Sequence, residues 1–423
     1  MKKSLLLAAL SCAAMCACSS ENSDEPKQKD NNVETEVTFD KVAAKPMTLS
    51  SQEKELVEAQ NGFALRLLEA QNTLNSGENI ALSPLSAMSN IAMIANASDA
   101  ATRIQILNLL GINSINDLNA LNGRLNKEIV NVDASNVKFT LSNALWLNQD
   151  KNVKVDREFS STLSEYYLAE NFTKPFANPV DLQKDINIWA KGKTEGLIAR
   201  FYSEESTEIS PDSYAVFLNA MFFKGRWSAP FDPQLTSPRP FYNFSGTSIA
   251  KPQMMTQCLE AEYYTDATVS AAVLPYGDYF SMTVIVPRHG DDAAFAQAVE
   301  KALNAPKNKG KVQVNLPKFN TDIRTDLSSI YTHLGYLGLA VLEHFEADET
   351  PGLNKLIIQQ QCVLRVDEQG TEGASVTGAY DISTTPDGAS DSTPVVSADR
   401  PFVYVISERS SGAILFIGRV NKP

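Results

Sequence analysis

The sequence predicts an α+β fold in which one large domain makes up most of the chain. Helical patterns dominate its first half and strand patterns its second half, which is the order expected for this class. The 423 residues are 43% apolar and can therefore bury a large core. Residues 47–423 contain no repeat and no linker, and we predict that they form a single domain.

The chain opens with the pattern of an export signal. Two lysines precede an apolar run, Leu5–Leu10, which is too short to span a bilayer. Small residues and cysteines follow, and the composition then becomes polar and acidic. This pattern resembles a bacterial lipoprotein signal, in which a lipid-modified cysteine becomes the first residue of the mature chain. We select Cys18 for this role, and Cys12 is the alternative.

Residues 19–46 are polar and are predicted to form a flexible linker with an r.m.s. reach of about 30 Å. The acidic residues just after Cys18 resemble the surface-export tag of lipoproteins from Bacteroides-like bacteria; a plain solvated linker is the other interpretation. The predicted organisation is a signal peptide at 1–17, a linker at 18–46 with the lipid on Cys18, and the folded domain at 47–423. We therefore expect an exported outer-membrane lipoprotein on the cell surface, or an extracellular protein if it is released.

Within the domain, helices and strands are predicted from apolar spacing. Ser50–Glu53 has the pattern of a capping box, and the amphipathic run after it predicts the first helix. Helical spacing predicts further helices over 86–96, 100–110, 158–168, 182–199 and 292–303. Strand patterns cover 137–147, 214–224, 269–275, 280–287, 311–317, 362–367, 402–407 and 413–420.

Charge and cysteine content narrow the functional classes. The net charge of -13 argues against a nucleic-acid partner, which would need a basic face, and solubility alone explains the acidity. Two cysteines lie in the domain, and they could form a bridge in an exported protein. Cys362 lies in an apolar strand and is therefore interpreted as a small buried hydrophobe, whereas the state of Cys258 is left open.

The most informative segment runs from Val366 to Asp381. An apolar β-type run ends in an acidic pair, a flexible joint follows at Gly370, and small residues continue to Ala379. This run is too rich in glycine for a stable helix. It has no proline, and its alternate positions, which share one face of a strand, all carry small residues. The segment can therefore enter an existing sheet without a steric clash.

This segment resembles the hinge of the serpin (serine protease inhibitor) family, whose exposed loop inserts into its own central sheet. Five further segments are similar to family motifs and occur in the family's order: Asn79–Ala87, Ala101–Gly111, Leu218–Asp232, Val314–Phe319 and Ala398–Val420. The resemblance covers almost the whole chain. It implies three β-sheets with surrounding helices and an exposed reactive-centre loop.

The resemblance also implies a function, which is suicide-type inhibition of serine proteases. In the family, the protease cleaves a bait bond in the loop and is trapped as an ester between its catalytic serine and the bait residue. The loop then inserts as a new strand and carries the protease to the opposite pole. We expect a monomer with no cofactor, serine proteases as partners, and membrane contact only through the lipid anchor.

The bait bond is placed by the family's spacing. Counting from Glu368 puts the bait residue at Thr384 and the cut between Thr384 and Thr385, to within one or two residues. Counting back from Pro401 gives a later position, near Ser390. We use the count from the hinge, because insertion depends on the length of chain before the cut.

The residue types around the bait bond predict the class of protease. A small β-branched bait residue suits a protease with a small apolar primary pocket, so elastase-like targets are favoured. No Arg or Lys lies between Val366 and Asp399, which disfavours trypsin-like targets. Subtilisin-like proteases and papain-like cysteine proteases are further candidate partners.

The resemblance assigns roles to residues of the hinge and of the sheet beneath it. Thr371 starts insertion, because a small polar side chain can be buried there whereas a charge would be costly, and Glu372 would face outward. Trp227 matches the tryptophan under the point of first insertion, and a plain core aromatic is the other interpretation. The hinge residues are Glu368, Gly370, Thr371, Glu372, Gly373, Ala374 and Ser375. The buried polar cluster that the family calls the shutter is matched by Ser83, Ser86 and Asn187, with Gln360 where the family often has histidine.

Two other functions were weighed against inhibition. An enzyme is disfavoured because none of the three histidines lies in a zinc-binding H-E-x-x-H motif and no G-x-S-x-G elbow occurs. We therefore predict no catalytic residues and no metal site. The alternative function is that of a non-inhibitory serpin acting as a binding or chaperone module. Such members tend to carry bulky, charged or proline residues in the hinge, whereas this hinge has a run of small residues with Thr371 in place.

Overall fold

A computed structural model of the chain describes residues 43–130, 132–133, 136–203, 208–290, 292–336, 342–348, 356–371 and 393–423. The predicted signal peptide, with Cys18, and most of the predicted linker lie outside the described residues. In the described part there are eight α-helices: α1 (Ser51–Leu74), α2 (Pro84–Ala97), α3 (Ala100–Leu110), α4 (Ile115–Glu128), α5 (Arg157–Tyr167), α6 (Pro179–Lys193), α7 (Asp292–Asn304) and α8 (Leu327–His333).

The same residues form twenty strands. They are β1 (Ile80–Leu82), β2 (Val132–Asp133), β3 (Val137–Asn148), β4 (Lys154–Val155), β5 (Ala169–Lys174), β6 (Ala215–Arg226), β7 (Ser237–Pro238), β8 (Phe241–Tyr242), β9 (Ser248–Ala250), β10 (Gln253–Thr265), β11 (Val269–Tyr276), β12 (Phe280–Pro287), β13 (Asn308–Pro317), β14 (Phe319–Asp326), β15 (Phe345–Glu346), β16 (Leu356–Asp367), β17 (Gly370–Thr371), β18 (Val395–Ser397), β19 (Phe402–Glu408) and β20 (Ile414–Val420).

Seven of these strands form what we call the central sheet. Its order is β14–β16–β17–β6–β3–β2, with β5 paired to β3. β6 lies antiparallel to β3 but parallel to β16, and β14 is antiparallel to β16. The short β17 lies between β16 and β6 at one end only, and is antiparallel to both. This end of the central sheet carries the candidate site.

A nine-stranded sheet packs beside the central sheet and has two arms. One arm contains β1, β20, β19, β12 and β11, and the other contains β10, β13, β18 and β7. The arms meet only where Glu262–Thr265 of β10 pairs with β11. The two arms and the central sheet give the three sheets implied by the resemblance, and two two-stranded sheets are also present among the described residues.

Strand β6 shows why the central sheet has so apolar a sequence. Val216 and Leu218 pack in a cluster with α6 on one face, whereas Phe217 and Phe223 belong to the main core on the other. Side chains of a strand alternate between faces, so a strand that is covered on both faces has few polar residues. Helix α6 thus covers one face of the central sheet.

The predicted elements are present, with some changes at their ends. The capping box is formed: the Glu53 N–H donates to Ser50 Oγ at 3.2 Å, and the Ser50 N–H donates to Glu53 Oε2 at 2.8 Å. The helix predicted over 182–199 ends at Lys193. Glu195 and Gly196 have φ values of 52° and 84°, which a right-handed helix cannot contain.

The structure also shows the state of the two cysteines of the domain and the character of its helices. Cys258 and Cys362 are both free thiols in the described part of the chain, so the disulfide between them is not formed. Cys362 is buried, which raises the pKa of its thiol and keeps it neutral. Among the described residues, no helix has the length and apolar character that crossing a membrane requires.

Candidate functional site

The predicted hinge makes a tight hairpin at one end of the central sheet. β16 ends at Asp367, whose carboxylate accepts hydrogen bonds from the N–H groups of Gln369 at 2.9 Å and Gly370 at 3.2 Å. The chain therefore turns back on itself. Thr371 then pairs with Val366 of β16 on one side and with Gly225 of β6 on the other.

Two glycines allow this close passage of backbones. A Cβ on Gly370 would lie 2.0 Å from the carbonyl oxygen of Gly225, which is far inside van der Waals contact. The φ of Gly370 is 153°, a conformation that side chains with a Cβ rarely adopt. A Cβ on Gly225 would in turn lie 2.8 Å from the Tyr276 ring. Glycine at both positions is thus required for the hinge to enter the sheet.

Thr371 is completely buried at the point of entry, with 0% of its surface exposed. Its hydroxyl is hydrogen-bonded to the hydroxyl of Tyr276. Burial raises the pKa of Tyr276 well above its ordinary value, so this phenol stays neutral and keeps its proton. The pocket therefore satisfies one small hydroxyl, whereas a charged side chain buried there would lose its hydration.

Trp227 packs against the place where Thr371 enters the sheet. Its ring stacks on Tyr276, with 4.4 Å between the ring centroids and 14° between the planes. The Trp227 indole N–H donates to the Asp367 carbonyl at 2.9 Å, and its backbone N–H donates to the Gln369 carbonyl at 3.0 Å. Trp227 thus lies under the residues of the hairpin and is a buried core aromatic as well.

An ion pair holds the turn of the hairpin. Lys318 Nζ lies 2.8 Å from Glu368 Oε2, and the Phe231 N–H donates to the Glu368 carbonyl at 2.9 Å. Burial acts to raise the pKa of Glu368, but hydrogen bonds, chiefly from Lys318, outweigh it. The pKa of this carboxyl therefore lies below its ordinary value of 4.5. The turn is consequently anchored to the loop beyond β13 that carries Lys318.

The far half of the gap between β6 and β16 is closed. Leu356–Gln361 pairs directly with Ala215–Ala220 in parallel register. Beside this closed half, Gln360 is hydrogen-bonded twice to Ser83: its Oε1 accepts from the Ser83 N–H at 2.8 Å, and its Nε2 donates to the Ser83 carbonyl at 3.0 Å. Ser83 also caps α2 by accepting from the Ser86 N–H at 3.4 Å. Gln360 therefore ties β16 to the start of α2.

Three buried asparagines are hydrogen-bonded in a chain that runs from α2 across β6 to β3. Asn90 of α2 donates to the side-chain carbonyl of Asn219 in β6, and Asn219 donates to that of Asn143 in β3. All three side chains are fully buried. We call this group, with Gln360 and the serines beside it, the buried polar cluster; its members are Ser83, Ser86, Asn90, Asn143, Asn219 and Gln360.

The structure does not bring Asn187 into this cluster, which corrects its sequence assignment. Asn187 lies in α6 and binds the loop beyond that helix, accepting from the N–H groups of Phe201 at 2.7 Å and Tyr202 at 2.8 Å. The asparagine that joins the other two asparagines of the cluster is Asn219 of β6. Asn219 was missed although a signal for it exists, namely a polar residue inside the long apolar run of β6.

Several predicted site residues lie outside the described residues. They are the hinge positions Glu372, Gly373, Ala374 and Ser375 and the bait residues Thr384 and Thr385. The residues that are described divide between the two halves of one gap. Glu368, Gly370, Thr371 and Trp227 lie at its open end, and Ser83, Ser86 and Gln360 lie beside its closed half. Within the described ranges, no group of three or more His, Cys, Asp or Glu residues could hold a metal ion.

The arrangement is a sheet that is opened at one end by its own chain. Between the closed half and the hairpin, Cys362–Arg365 of β16 and Met221–Lys224 of β6 are not paired with each other. A strand entering there would find unpaired backbone groups on both sides. A fold with a central sheet of this kind and a hinge inside it defines the class of loop-inserting inhibitors and their non-inhibitory relatives.

The family is shown by comparison with known proteins. A family model described as Serpin (serine protease inhibitor) matches residues 58–423. The chain therefore belongs to the serpin family. Members are typically protease inhibitors rather than enzymes, although some are non-inhibitory.

Individual relatives are similar over most of their length. An uncharacterized serpin-like protein of Methanosarcina mazei is 28% identical over 308 residues, which is 71% of this chain and 71% of the relative. Glia-derived nexin of Rattus norvegicus is 30% identical over 320 residues, which is 71% of this chain and 77% of the relative.

Solved structures share the fold. The thermophilic serpin tengpin in its native state has a TM-score of 0.75 and 23% identity, over 90% of this chain and 98% of its own. Human thyroxine-binding globulin complexed with thyroxine has a TM-score of 0.74 and 22% identity, over 88% of this chain and 100% of its own.

Proposed function

We propose that this serpin is a suicide-type inhibitor of serine proteases, with its bait bond at Thr384–Thr385. The observation that carries the proposal is the position of Gly370 and Thr371 between β16 and β6, at the open end of the gap between these strands. The hairpin directs the chain down this gap. Continuing in the same direction, the small residues after Thr371 would pair with both strands.

The length of chain before the bait bond suits complete insertion. The fourteen residues from Thr371 to Thr384 span about 46 Å as a strand, at roughly 3.3 Å per residue. β6 and β16 have 12 residues each, which corresponds to about 40 Å. Full insertion would therefore carry the bait residue, and a protease attached to it, to the opposite end of the central sheet.

Insertion would release enough free energy to move a protease. A central strand of this length adds on the order of 20 backbone hydrogen bonds, at roughly 0.5–1.5 kcal/mol each. The gain is about 10–30 kcal/mol before the ordering costs and the loss of the direct pairing between β6 and β16 are subtracted. In the serpin mechanism this movement distorts the protease and stops hydrolysis of the ester.

The target class follows from the bait residue. Thr384 is small and β-branched, so we propose elastase-like proteases as the favoured targets, with subtilisin-like serine proteases and papain-like cysteine proteases as further partners. We also propose that the protein acts outside the cell, held to the outer membrane by a lipid on Cys18. The polar linker at 18–46 would let the anchored inhibitor reach a soluble protease.

The second candidate is a binding or chaperone module that does not trap proteases. It is favoured by one observation, which is that thyroxine-binding globulin, a carrier, has the same fold. The small residues of this hinge and the buried Thr371 favour inhibition instead. The two functions are distinguished by whether the protein traps a protease covalently, which only the inhibitor would do.

The test is to mix the purified chain with an elastase-like protease and to analyse the products on a denaturing gel and by mass spectrometry. We expect a stable covalent complex and a released C-terminal peptide that begins at Thr385. Clean cleavage without a complex, across proteases of several specificities, would overturn inhibition. A large rise in thermal stability after cleavage would then show that the loop still inserts.

The bait position is tested separately with Thr384→Arg. An arginine at the bait residue should fit the acidic primary pocket of trypsin-like enzymes, so the variant should form a covalent complex with trypsin. Thr384→Val is the matched control and should keep the preference for elastase. A Thr384→Arg variant that still traps only elastase would contradict the choice of bait residue without contradicting inhibition.

A further inference from the structure

A second cleft lies away from the hinge, between helix α6 and strand β5. It has a volume of about 500 Å³, within the range of small-molecule sites. Its strand wall is formed by Glu170, Phe172 and Lys174, which alternate along β5 and therefore share one face. Trp146 of β3 pairs in register with Phe172, and the two rings stack with 4.2 Å between centroids and 20° between planes. The wall is therefore aromatic at its centre.

The helix wall has the spacing of one helical face. Asp185, Ile188, Trp189, Gly192 and Lys193 follow one another at intervals of three, one, three and one residues, so their side chains project towards the same side of α6. Ile188 is 71% exposed and forms an apolar edge at the mouth of the cleft. The cleft is thus lined by a strand face and a helix face that match in length.

The charges of the cleft cancel. Lys193 of α6 lies 2.7 Å from Glu170 of β5, and Lys174 of β5 lies 3.1 Å from Asp185 of α6. Each ion pair joins one residue of the helix to one of the strand. The lysine belongs to the helix in one pair and to the strand in the other. The lining therefore has two positive and two negative groups and offers no net attraction to a charged ligand.

One buried donor in this lining is left unsatisfied. Trp146 is 2% exposed, and its indole N–H has no acceptor among the described residues. The indole N–H of Trp189, by contrast, donates to Glu170 at 2.6 Å. A buried donor without an acceptor is unfavourable, and native proteins usually pair such groups. The indole N–H is itself buried, so a ligand with a hydrogen-bond acceptor would satisfy it by displacing a neighbouring side chain as it enters.

Gly192 keeps the cleft open. A Cβ built on Gly192 meets no atom within 4 Å, and the residue does not have a left-handed backbone conformation. Glycine is unfavourable inside a helix relative to alanine, and here neither packing nor conformation requires it. Its missing side chain does leave space beside Trp189 and Lys193, where a larger residue would project into the cleft.

We propose that this cleft binds a small, uncharged, planar aromatic molecule that carries a hydrogen-bond acceptor. The half-buried ring of Phe172, which is backed by the nearly buried Trp146 and Trp189, suits a flat ring. The balanced ion pairs select against a charged ligand, and the indole N–H of Trp146 selects for the acceptor. This site uses no residue of the hinge or of the buried polar cluster.

The test uses prodan, an uncharged naphthalene with a ketone oxygen whose fluorescence shifts to the blue when it leaves water. The full chain is titrated into prodan, and the dissociation constant is measured for the wild type and three variants. Gly192→Leu fills the cleft from the helix side. Lys191→Leu adds the same side chain to the exposed neighbouring position and is the matched control. Trp146→Phe removes the unpaired donor.

The expected result is saturable binding to the wild type with unchanged binding to Lys191→Leu. Gly192→Leu should weaken binding about tenfold or more, since overpacking excludes the ring. Trp146→Phe should weaken it about fivefold, since one hydrogen bond is lost. Thermal unfolding checks that each variant is folded. Binding that does not saturate, or that Gly192→Leu leaves unchanged, would overturn the site, and an unaffected Trp146→Phe would overturn the acceptor requirement.

Discussion

The two ends of the gap between β6 and β16 are held by opposite kinds of interaction. At the open end, the hinge lies between the strands, and aromatic rings and one hydroxyl pair surround Thr371. At the closed end, the strands pair directly, and buried amides join them to α2 and β3. The open end is shaped by size, because only small residues fit. The closed end is shaped by hydrogen bonds, and those that pair β6 with β16 must be exchanged if a strand is to enter.

In the proposed mechanism, this difference separates the start of insertion from its completion. Entry at the open end depends on Gly370, Gly225 and Thr371, whose small size allows the backbones to meet. Progress towards the closed end depends on the pairing of Leu356–Gln361 with Ala215–Ala220, which an inserting strand must replace. Substitutions at the two ends should therefore have different effects, the first on trapping and the second on stability.

The largest effect is expected from Thr371→Arg at the open end. Burying a guanidinium beside Tyr276 and Trp227 without a partner is strongly unfavourable. Covalent trapping of an elastase-like protease should therefore fall by about tenfold or more, and the variant should be cleaved as a substrate. The measurement is the yield of covalent complex per cleaved inhibitor on a denaturing gel.

Thr371→Ser is the control for this change. It keeps the hydroxyl that is bonded to Tyr276, so its trapping should stay close to that of the wild type. Thr371→Arg with a wild-type yield of complex would contradict entry of the loop at this position.

The next effect is expected from Asn219→Ala at the closed end. The change leaves Asn90 and Asn143 without their shared partner in a fully buried place. The free energy of unfolding should fall by about 2–4 kcal/mol. Urea unfolding measures it, and Asn320→Ala, an exposed position on the edge strand of the same sheet, should change it by less than about 0.5 kcal/mol. An equal effect at both positions would show that the buried amides do not stabilise the sheet more than an exposed residue does.

Tyr276→Phe should have a smaller effect, at the open end alone. It removes the hydroxyl that pairs with Thr371 and keeps the ring that stacks on Trp227. Loss of one hydrogen bond corresponds to about 1 kcal/mol, so the hinge should leave the sheet about fivefold more often. Hydrogen exchange of the Thr371 amide measures this. Tyr279→Phe is the control and should leave exchange unchanged; a similar rise in both variants would contradict the role of this bond.

The smallest effect is expected from the ion pair of Glu368 with Lys318. The folded-state pKa of Glu368 is lowered, so folding favours its ionised form. Its contribution is present above the ordinary pKa of 4.5 and is lost as the pH falls through the lower folded-state value. Lys318 is 40% exposed, so the contribution should be about 1 kcal/mol or less.

The variant Glu368→Gln tests this contribution through the pH dependence of urea unfolding. The stability difference between wild type and variant should be largest near neutral pH and should vanish under acidic conditions. Lys318→Met should reproduce the loss at neutral pH. A difference that is constant from neutral to acidic pH would mean that the carboxylate charge plays no part.

Much of this architecture could be predicted from the sequence, because the strands of the central sheet are covered on both faces. β6 is apolar along nearly its whole length, and such a run has few interpretations. α4 was missed for the opposite reason. Asn and Gly lower its helix propensity, and it is a helix because Leu118, Leu121 and Leu125 are buried against the core. β10 was missed because most of its side chains are only half-buried and do not alternate clearly.

The candidate site was predicted only in part, because it is assembled from distant segments. The sequence identifies Thr371 as a residue that can be buried, but its actual entry depends on Gly225 and Tyr276, which lie far away in the chain. The same holds for Asn219, whose partners come from α2 and β3. Local spacing cannot show which of two asparagines, 187 or 219, meets the other amides.

The three tryptophans of the chain divide between the two places described above. Trp146 and Trp189 line the cleft beside α6, whereas Trp227 stacks under the first inserted residues. Replacing the first two with phenylalanine would leave all tryptophan emission at the hinge. Trp227 contacts both Tyr276 and the Asp367 carbonyl. Its fluorescence emission should therefore depend on the packing and polarity around the hinge. Trp227 would thus serve as an intrinsic fluorescent probe of the opening of the central sheet, and no attached dye would be needed.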